Sequence, residues 1–219
     1  MSFSALILAG GKGSRLGYRE KALIDINGKP LIMFVIESLE KVVDSIIISV
    51  RDKAQGEFLD SRLHSLTKPH ESDGYRVNQQ RYRLAYDSYI NKGPLAGIFS
   101  GLSACDDEYC FIAACDMPFI NEDAVKLLIM KSEGYDAAIP RWDDGFLEPL
   151  HAVYRRGPMM RETKKALEKN ETIILAPIFR LNVNYVATDE IKSIEPDLRT
   201  FMNVNTPEDI QQVIRKKSL

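Results

Sequence analysis

A strong excess of charge of either sign is missing from this chain. Lys and Arg number 29 against 31 Asp and Glu, a net charge of -2 and a pI near 6.0, so there is no basic field of the kind that duplex nucleic acid requires. Cysteine is scarce. Cys105, Cys110 and Cys115 are too far apart for a paired CxxC metal knuckle and odd in number, which speaks against a disulfide framework and for reduced thiols in a cytoplasmic protein. No apolar run approaches bilayer length, and Met1 is followed by a core-like strand without a basic leader or a small-residue cleavage site; nothing here directs the chain to a membrane. Internal repeats and low-complexity tracts are also lacking.

What is present is 219 residues, 45% of them hydrophobic, enough for one large α/β domain spanning residues 1–219. Apolar runs alternate with amphipathic segments, the pattern of parallel strands joined by helices. Strands are predicted at 5–9, at 45–50 (SIIISV, a continuous β-branched run) and at 84–86, 109–114, 136–140 and 149–154, with shorter ones near Ile173 and Tyr185. Asn27-Gly28 predicts a turn, Pro30 suits a first helical position, and apolar residues from Leu31 to Val43 recur at helical spacing. Further helices are expected over 54–66, from Gly93-Pro94 through Ala104, from an Asn121 cap to about Lys131, over 158–168, and from Thr206-Pro207 with Ile210, Val213 and Ile214 facing inward. Residues 67–82 carry few apolar positions and should form an exposed loop suited to a flap.

The first strand runs into ALILAGGKGSRLGYREK, residues 5–21. A glycine-rich loop after a buried strand lets backbone N–H groups approach an anion, and Lys12, Arg15 and Lys21 add positive charge to such a phosphate cradle. Gly11 to Gly17 is G-x-G-x-x-x-G, a departure from the dinucleotide fingerprint G-x-G-x-x-G, and the absence of G-K-[ST] removes the Walker A loop. An NADP-dependent oxidoreductase would need an acidic or 2'-phosphate-binding residue some twenty positions on; the second strand ends about forty on, where only Arg51 could serve. A nucleotide-binding sensor would share the loop but would need no metal carboxylate.

Five motifs in order, L-A-G-G-x-x-x-R-L-G with Lys21, G-P-L-A-G at 93–97, C-D-M-P-F at 115–119, P-L-H-A-V-Y at 149–154 and F-M-N-V-N-T-P-E-D at 201–209, resemble the molybdenum cofactor guanylyltransferases. That resemblance implies a three-layer α/β/α, Rossmann-like nucleotidyltransferase fold with a mostly parallel central sheet. It implies Mg²⁺-dependent transfer of GMP from GTP to the terminal phosphate of molybdopterin or Mo-molybdopterin, with release of pyrophosphate and onward delivery to molybdoenzymes or their chaperones. Both reactants are anions, so such a site must shield charge more than move protons. The resemblance implies catalytic roles for Lys21, Arg15 and Asp116, with Asp116 the Mg²⁺ ligand. It implies nucleotide contacts from Leu8, Ala9, Gly10, Gly11, Lys12, Gly13 and Lys21, from Gly93, Pro94 and Gly97, and from Asp87 as the reader of guanine. Asn203 and Asn205 would bind the pterin phosphate or complete the metal shell. His151 and Arg155 either line the acceptor pocket or are structural, and Cys115 is packing rather than a nucleophile. The family's second-strand asparagine has no clear counterpart among Ser49, Val50 and Arg51, and Glu20 stands where an aspartate is common. A cytidylyltransferase or a sugar-phosphate nucleotidyltransferase would share the loop and Lys21, so only the later motifs separate these readings.

Overall fold

A computed structural model describes residues 2–11, 20–66, 82–89 and 91–217. A seven-stranded sheet runs in the order β5-β4-β1-β6-β8-β7-β9. Its strands are β1 (Phe3–Leu8), β4 (Ser45–Val50), β5 (Arg83–Tyr86), β6 (Tyr109–Ala114), β7 (Ala137–Arg141), β8 (His151–Arg155) and β9 (Val183–Ala187). β1 pairs in parallel with both β4 and β6, β4 with β5 and β7 with β9; β8 alone runs antiparallel, between β6 and β7. The sheet is therefore mostly parallel, as the continuous apolar strands require, since parallel strands bury both faces.

Those faces are covered by two sets of helices. Ala5 and Ile7 point to one side, where they meet α1 (Leu31–Leu39), α2 (Lys53–Leu66) and α4 (Glu122–Lys131). Leu6 points to the other, against α3 (Pro94–Ser103), α5 (Arg156–Glu168) and α6 (Leu175–Ile178). The two-residue period of a strand sends alternate side chains into separate cores. This is the three-layer α/β/α arrangement.

Local sequence explains most boundaries. Asn121 caps α4, its side chain accepting from the backbone N–H of Asp123 at 2.9 Å and Ala124 at 3.0 Å. Asp209 accepts from the backbone N–H groups of Asn205 and Thr206 at 2.8 Å each, and Asp209 N–H returns to Thr206 Oγ1 at 3.2 Å, a reciprocal cap for α8 (Pro207–Lys217). Val213 of that helix is buried and Ile210 and Ile214 are partly so, against a two-stranded ribbon, β2 (Asp25–Ile26) and β3 (Lys29–Pro30), joined by the Asn27-Gly28 turn.

Several expectations are corrected. Pro30 ends β3 instead of opening α1, because Leu31 N–H closes back on the Ile24 carbonyl at 2.8 Å. α1 stops at Leu39, and the N–H groups of Val42 and Val43 both return to the Leu39 carbonyl in a turn. No strand forms at Ile173, which is 68% exposed; the apolar run there becomes α6, where Ile178 is buried in the core beside Met159 of α5. Four to eight apolar residues do not by themselves distinguish strand from helix. The ribbon and the short helix α7 (Thr188–Lys192) were not foreseen. The proposed flap at 67–82 lies outside the described residues except for Tyr82, which is buried and donates its hydroxyl to Asp60 at 2.9 Å. Among the described residues no helix is long and apolar enough to cross a membrane.

Candidate active site

β1 has β4 on one side and β6 on the other, and the chain moves outward to β5 before returning to β6. That reversal opens a crevice at the carboxyl ends of the strands, where ligands bind in open α/β sheets. The residues at and just beyond those ends converge there: Leu8 of β1 with Gly10 and Gly11 after it, Ser49 of β4 with Arg51 after it, Asp87 after β5, and Ala114 of β6 with Cys115 and Asp116 after it. Together with Lys21, Lys92, Gly93, Pro94, Gly97 and Leu150, they line a cavity of about 510 Å³, a volume suited to a nucleotide-sized ligand.

One end of the cavity is ionic. The Lys21 ammonium donates to Asp116 Oδ2 and, at 2.8 Å, to Asn205 Oδ1. The peptide of Asp116 is tied to the segment before α8 by Val204 N–H on the Asp116 carbonyl at 2.9 Å, which explains how a residue at the far end of the chain reaches Lys21. Asp116 Oδ1 is buried and accepts no hydrogen bond. A buried carboxylate oxygen without a donor is costly unless a cation serves it. One carboxylate, with the balance of the shell from water and phosphate, is an ordinary protein contribution to Mg²⁺, so these residues fit that ion. Among the described residues no cluster of three or more His, Cys, Asp or Glu could hold a metal by protein ligands alone.

The other end carries Asp87. Its N–H donates to the Val50 carbonyl at 3.0 Å, and its Oδ1 accepts from the Ser49 hydroxyl at 2.9 Å. Burial raises its pKa above the ordinary aspartate value, opposed by the Ser49 hydrogen bond and the Arg51 charge. A Cβ added to Gly97 on α3 would stand 2.8 Å from Ser49 Oγ, so glycine at that position is what lets α3 sit against β4. Gly93 has φ 60 and ψ -148, a conformation reserved in practice for glycine. It presents Pro94 as the first helical residue.

Other expected residues fall differently. Lys12, Gly13 and Arg15 lie outside the described residues. Asn203 donates its side-chain amide to the Phe201 carbonyl at 3.2 Å and does not line the cavity, whereas Asn205 joins the site through Lys21. Arg155 pairs with Glu108 at 2.8 Å at the opposite end of β8 from Asp116, because β8 runs antiparallel to β6 and places Arg155 across from Tyr109. Cys115 is buried, and burial pushes its thiol pKa far up, which disfavours the thiolate form. Asn91 and Lys92 line the cavity without having been singled out in the sequence, although both lie just before G-P-L-A-G; Ser49 and Leu150 also line it, the latter from within P-L-H-A-V-Y.

His151 is structural. It is fully buried between Phe111 and Phe201, with ring centroids 5.1 and 4.9 Å away. Thr200 Oγ1 accepts from Asn121 N–H at 3.0 Å and is hydrogen-bonded to His151 Nε2 at 3.2 Å. Burial lowers the imidazole pKa from 6.5 to about 3. Below pH 6.5 the unfolded chain therefore takes up a proton that the folded chain refuses. Its contribution to stability is complete above pH 6.5 and declines down to about pH 3, by at most about 1.4 kcal/mol per pH unit. Urea unfolding between pH 7.5 and 5 should give a steeper loss for the wild type than for His151→Gln; equal slopes would sink this account.

Residues 5–177 match the MobA-like NTP transferase domain family. The chain belongs to that family. It is a nucleotidyltransferase, as its relatives indicate: a probable molybdenum cofactor guanylyltransferase of Methanosarcina acetivorans is 44% identical over 215 residues, 97% of this chain and 90% of the relative. Its counterpart in Methanosarcina mazei is 42% identical over 212 residues, 96% and 89% of the two chains. The crystal structure of molybdopterin-guanine dinucleotide biosynthesis protein A from Archaeoglobus fulgidus superposes with a TM-score of 0.79 at 29% identity, covering 98% of each chain. A 4-diphosphocytidyl-2C-methyl-D-erythritol synthase from Anaerococcus prevotii shares the fold at TM-score 0.67 and 17% identity, covering 100% of this chain and 96% of that one. Membership of the family removes the oxidoreductase reading, and Arg51, its only 2'-phosphate candidate, is instead engaged with Glu20 and Asp52 at 3.0 Å each.

Proposed function

We propose that the protein transfers GMP from GTP to the terminal phosphate of molybdopterin, releasing pyrophosphate and forming molybdopterin guanine dinucleotide. The observation that carries this reading is the polarity of the cavity. Lys21, Asp116 and Asn205 meet beyond β6, suited to phosphates, and the half-buried Asp87 stands beyond β5, with β4 and β1 between the two strands, suited to a base.

An acceptor phosphate oxygen attacks the α-phosphorus of GTP, and the bond from that phosphorus to the bridging oxygen of pyrophosphate breaks. Lys21 would hold the triphosphate and neutralise charge on the departing pyrophosphate, while the N–H groups at Gly10 and Gly11 approach the phosphates without side chains in the way. Asp116 would hold Mg²⁺, which when bound supplies Lewis-acid shielding of the phosphate charge. Asp87 would accept from guanine N1–H and the exocyclic amine, a pair of donors that cytosine and adenine do not present together. The names of the relatives support guanine and molybdopterin, and soluble cytoplasmic action and delivery to molybdoenzymes accord with that role.

The test is pyrophosphate release with each nucleoside triphosphate, Mg²⁺ and molybdopterin. GTP should exceed CTP, UTP and ATP by about 100-fold or more in kcat/KM, since a base missing one partner leaves buried polar groups unpaired. Equal rates with CTP would end the guanylyl assignment, and no rate with any triphosphate would end the acceptor assignment.

A further inference from the structure

Gln55 belongs to none of the motifs, yet its side chain joins both flanks of the glycine segment. It sits in the first turn of α2 and is 5% exposed. Its Nε2 donates to the Ala9 carbonyl at 2.9 Å and also to Glu20 Oε2, while its Oε1 accepts from Arg51 N–H at 2.7 Å. Both N–H donors of the amide and its oxygen are thus engaged, and the two residues that its NH₂ holds are Ala9, just after β1, and Glu20, next to Lys21.

Glu20 is held from a second direction. Its Oε1 accepts from Arg51 Nη2 at 3.0 Å, and that contact raises the Arg51 pKa. Arg51 is anchored in turn on Asp52 at 3.0 Å, and Asp52 Oδ1 accepts from Gln55 N–H at 2.8 Å. The four residues form a closed ring of hydrogen bonds resting on the α2 N-terminus. A glutamate at position 20 has the reach for both Gln55 and Arg51.

We propose that Gln55 is a positioning residue that fixes the start and end of the segment between Ala9 and Glu20, and thereby sets Lys21 against the triphosphate. Holding Glu20, and with it the neighbouring Lys21, in place before the ligand arrives removes an ordering cost that the nucleotide would otherwise have to supply on binding. The Gln55 amide itself contacts neither Asp87 nor Ser49; of the ring residues Arg51 bears on Asp87, through its charge. This inference rests on the reading of the cavity as a nucleoside triphosphate site, not on which base it selects.

Gln55→Glu keeps the size of the side chain and its acceptor for Arg51 N–H but loses both donated bonds and places a second carboxylate on Glu20. We expect kcat to fall by about 10- to 100-fold, the scale of a small misplacement of a catalytic group. Affinity for the triphosphate should fall about tenfold while affinity for the corresponding monophosphate stays within about twofold, both read by calorimetry below the melting transition. A purely structural role would weaken both ligands alike. In Glu20→Gln/Gln55→Glu the amide at position 20 can donate to the carboxylate at 55, so the double variant should be more active than the product of the single losses. Glu20→Gln alone gives the same readout if Gln55→Glu does not fold. Unchanged triphosphate-to-monophosphate affinity in both single variants, or strictly multiplicative losses in the double, would overturn the proposal. Wild-type binding of CTP in preference to GTP would overturn the guanine assignment alone, and the ring is then tested with CTP and CMP; wild-type binding of no triphosphate would overturn both.

Discussion

Lys21→Ala should lower kcat for pyrophosphate release by about 10²- to 10³-fold, the loss expected when one preorganised cationic donor to a developing oxyanion is removed. The ammonium has two partners, Asp116 and Asn205, and is only 15% exposed at the side chain, so no other described cation replaces it in that position. Its removal strips Asp116 Oδ2 of its donor while Oδ1 already lacks one, leaving a poorly compensated carboxylate at the head of the cavity. A secondary cost of about 1–3 kcal/mol in folding stability is expected from that desolvated oxygen. Far-UV circular dichroism at the assay temperature should nonetheless match the wild type, because Lys21 belongs to a short 3₁₀ turn outside the sheet. Steady-state pyrophosphate release separates the two effects, and a variant that turns over at the wild-type rate would remove Lys21 from the chemistry.

The second large effect concerns the metal. Asp116→Asn keeps the shape of the side chain and an oxygen for Lys21 but removes the negative charge. If Asp116 holds Mg²⁺, the variant should need a much higher Mg²⁺ concentration for half-maximal rate and should remain about 10²-fold or more slower at saturation, since Lewis-acid shielding contributes several kcal/mol. A Mg²⁺ titration of pyrophosphate release at fixed GTP reads both. An unchanged half-saturation point would leave Asp116 as a partner of Lys21 and nothing more. Lys21→Ala should instead lower the maximal rate, so the two titration curves differ in kind.

Much of this was legible in the chain. The strands whose both faces are buried, 45–50 and 109–114, announced themselves as β-branched or apolar runs, and Asn121 and Thr206 marked helix starts that the structure keeps. Asp116 was readable because it lies just beyond the end of β6, and Lys21 because it closes the motif that begins at the end of β1. Local signals of this kind survive because propensity, capping and burial all act on neighbouring residues. They failed where one local pattern suits two elements, as in the apolar run at Ile173, and where pairing needs a partner elsewhere, as in the β2–β3 ribbon under α8.

The sequence by itself determined the alternation of strand and helix, the glycine-rich exit from β1, and the residue types able to handle a triphosphate. Only the tertiary structure decided which of those residues meet. Asn205 reaches Lys21 across 184 positions because Val204 pairs with the Asp116 peptide, while its neighbour Asn203 turns away to Phe201. Arg155 is carried to the end of the sheet away from the site by β8, the antiparallel strand of the seven-stranded sheet. Gln55 lies in a helix expected over 54–66 and carried no signal of its own, yet its amide reaches Ala9 and Glu20 because parallel pairing of β1 with β4 brings the two strand ends side by side. Strand register sets such neighbours, and register is a property of the assembled sheet that no short window of residues contains.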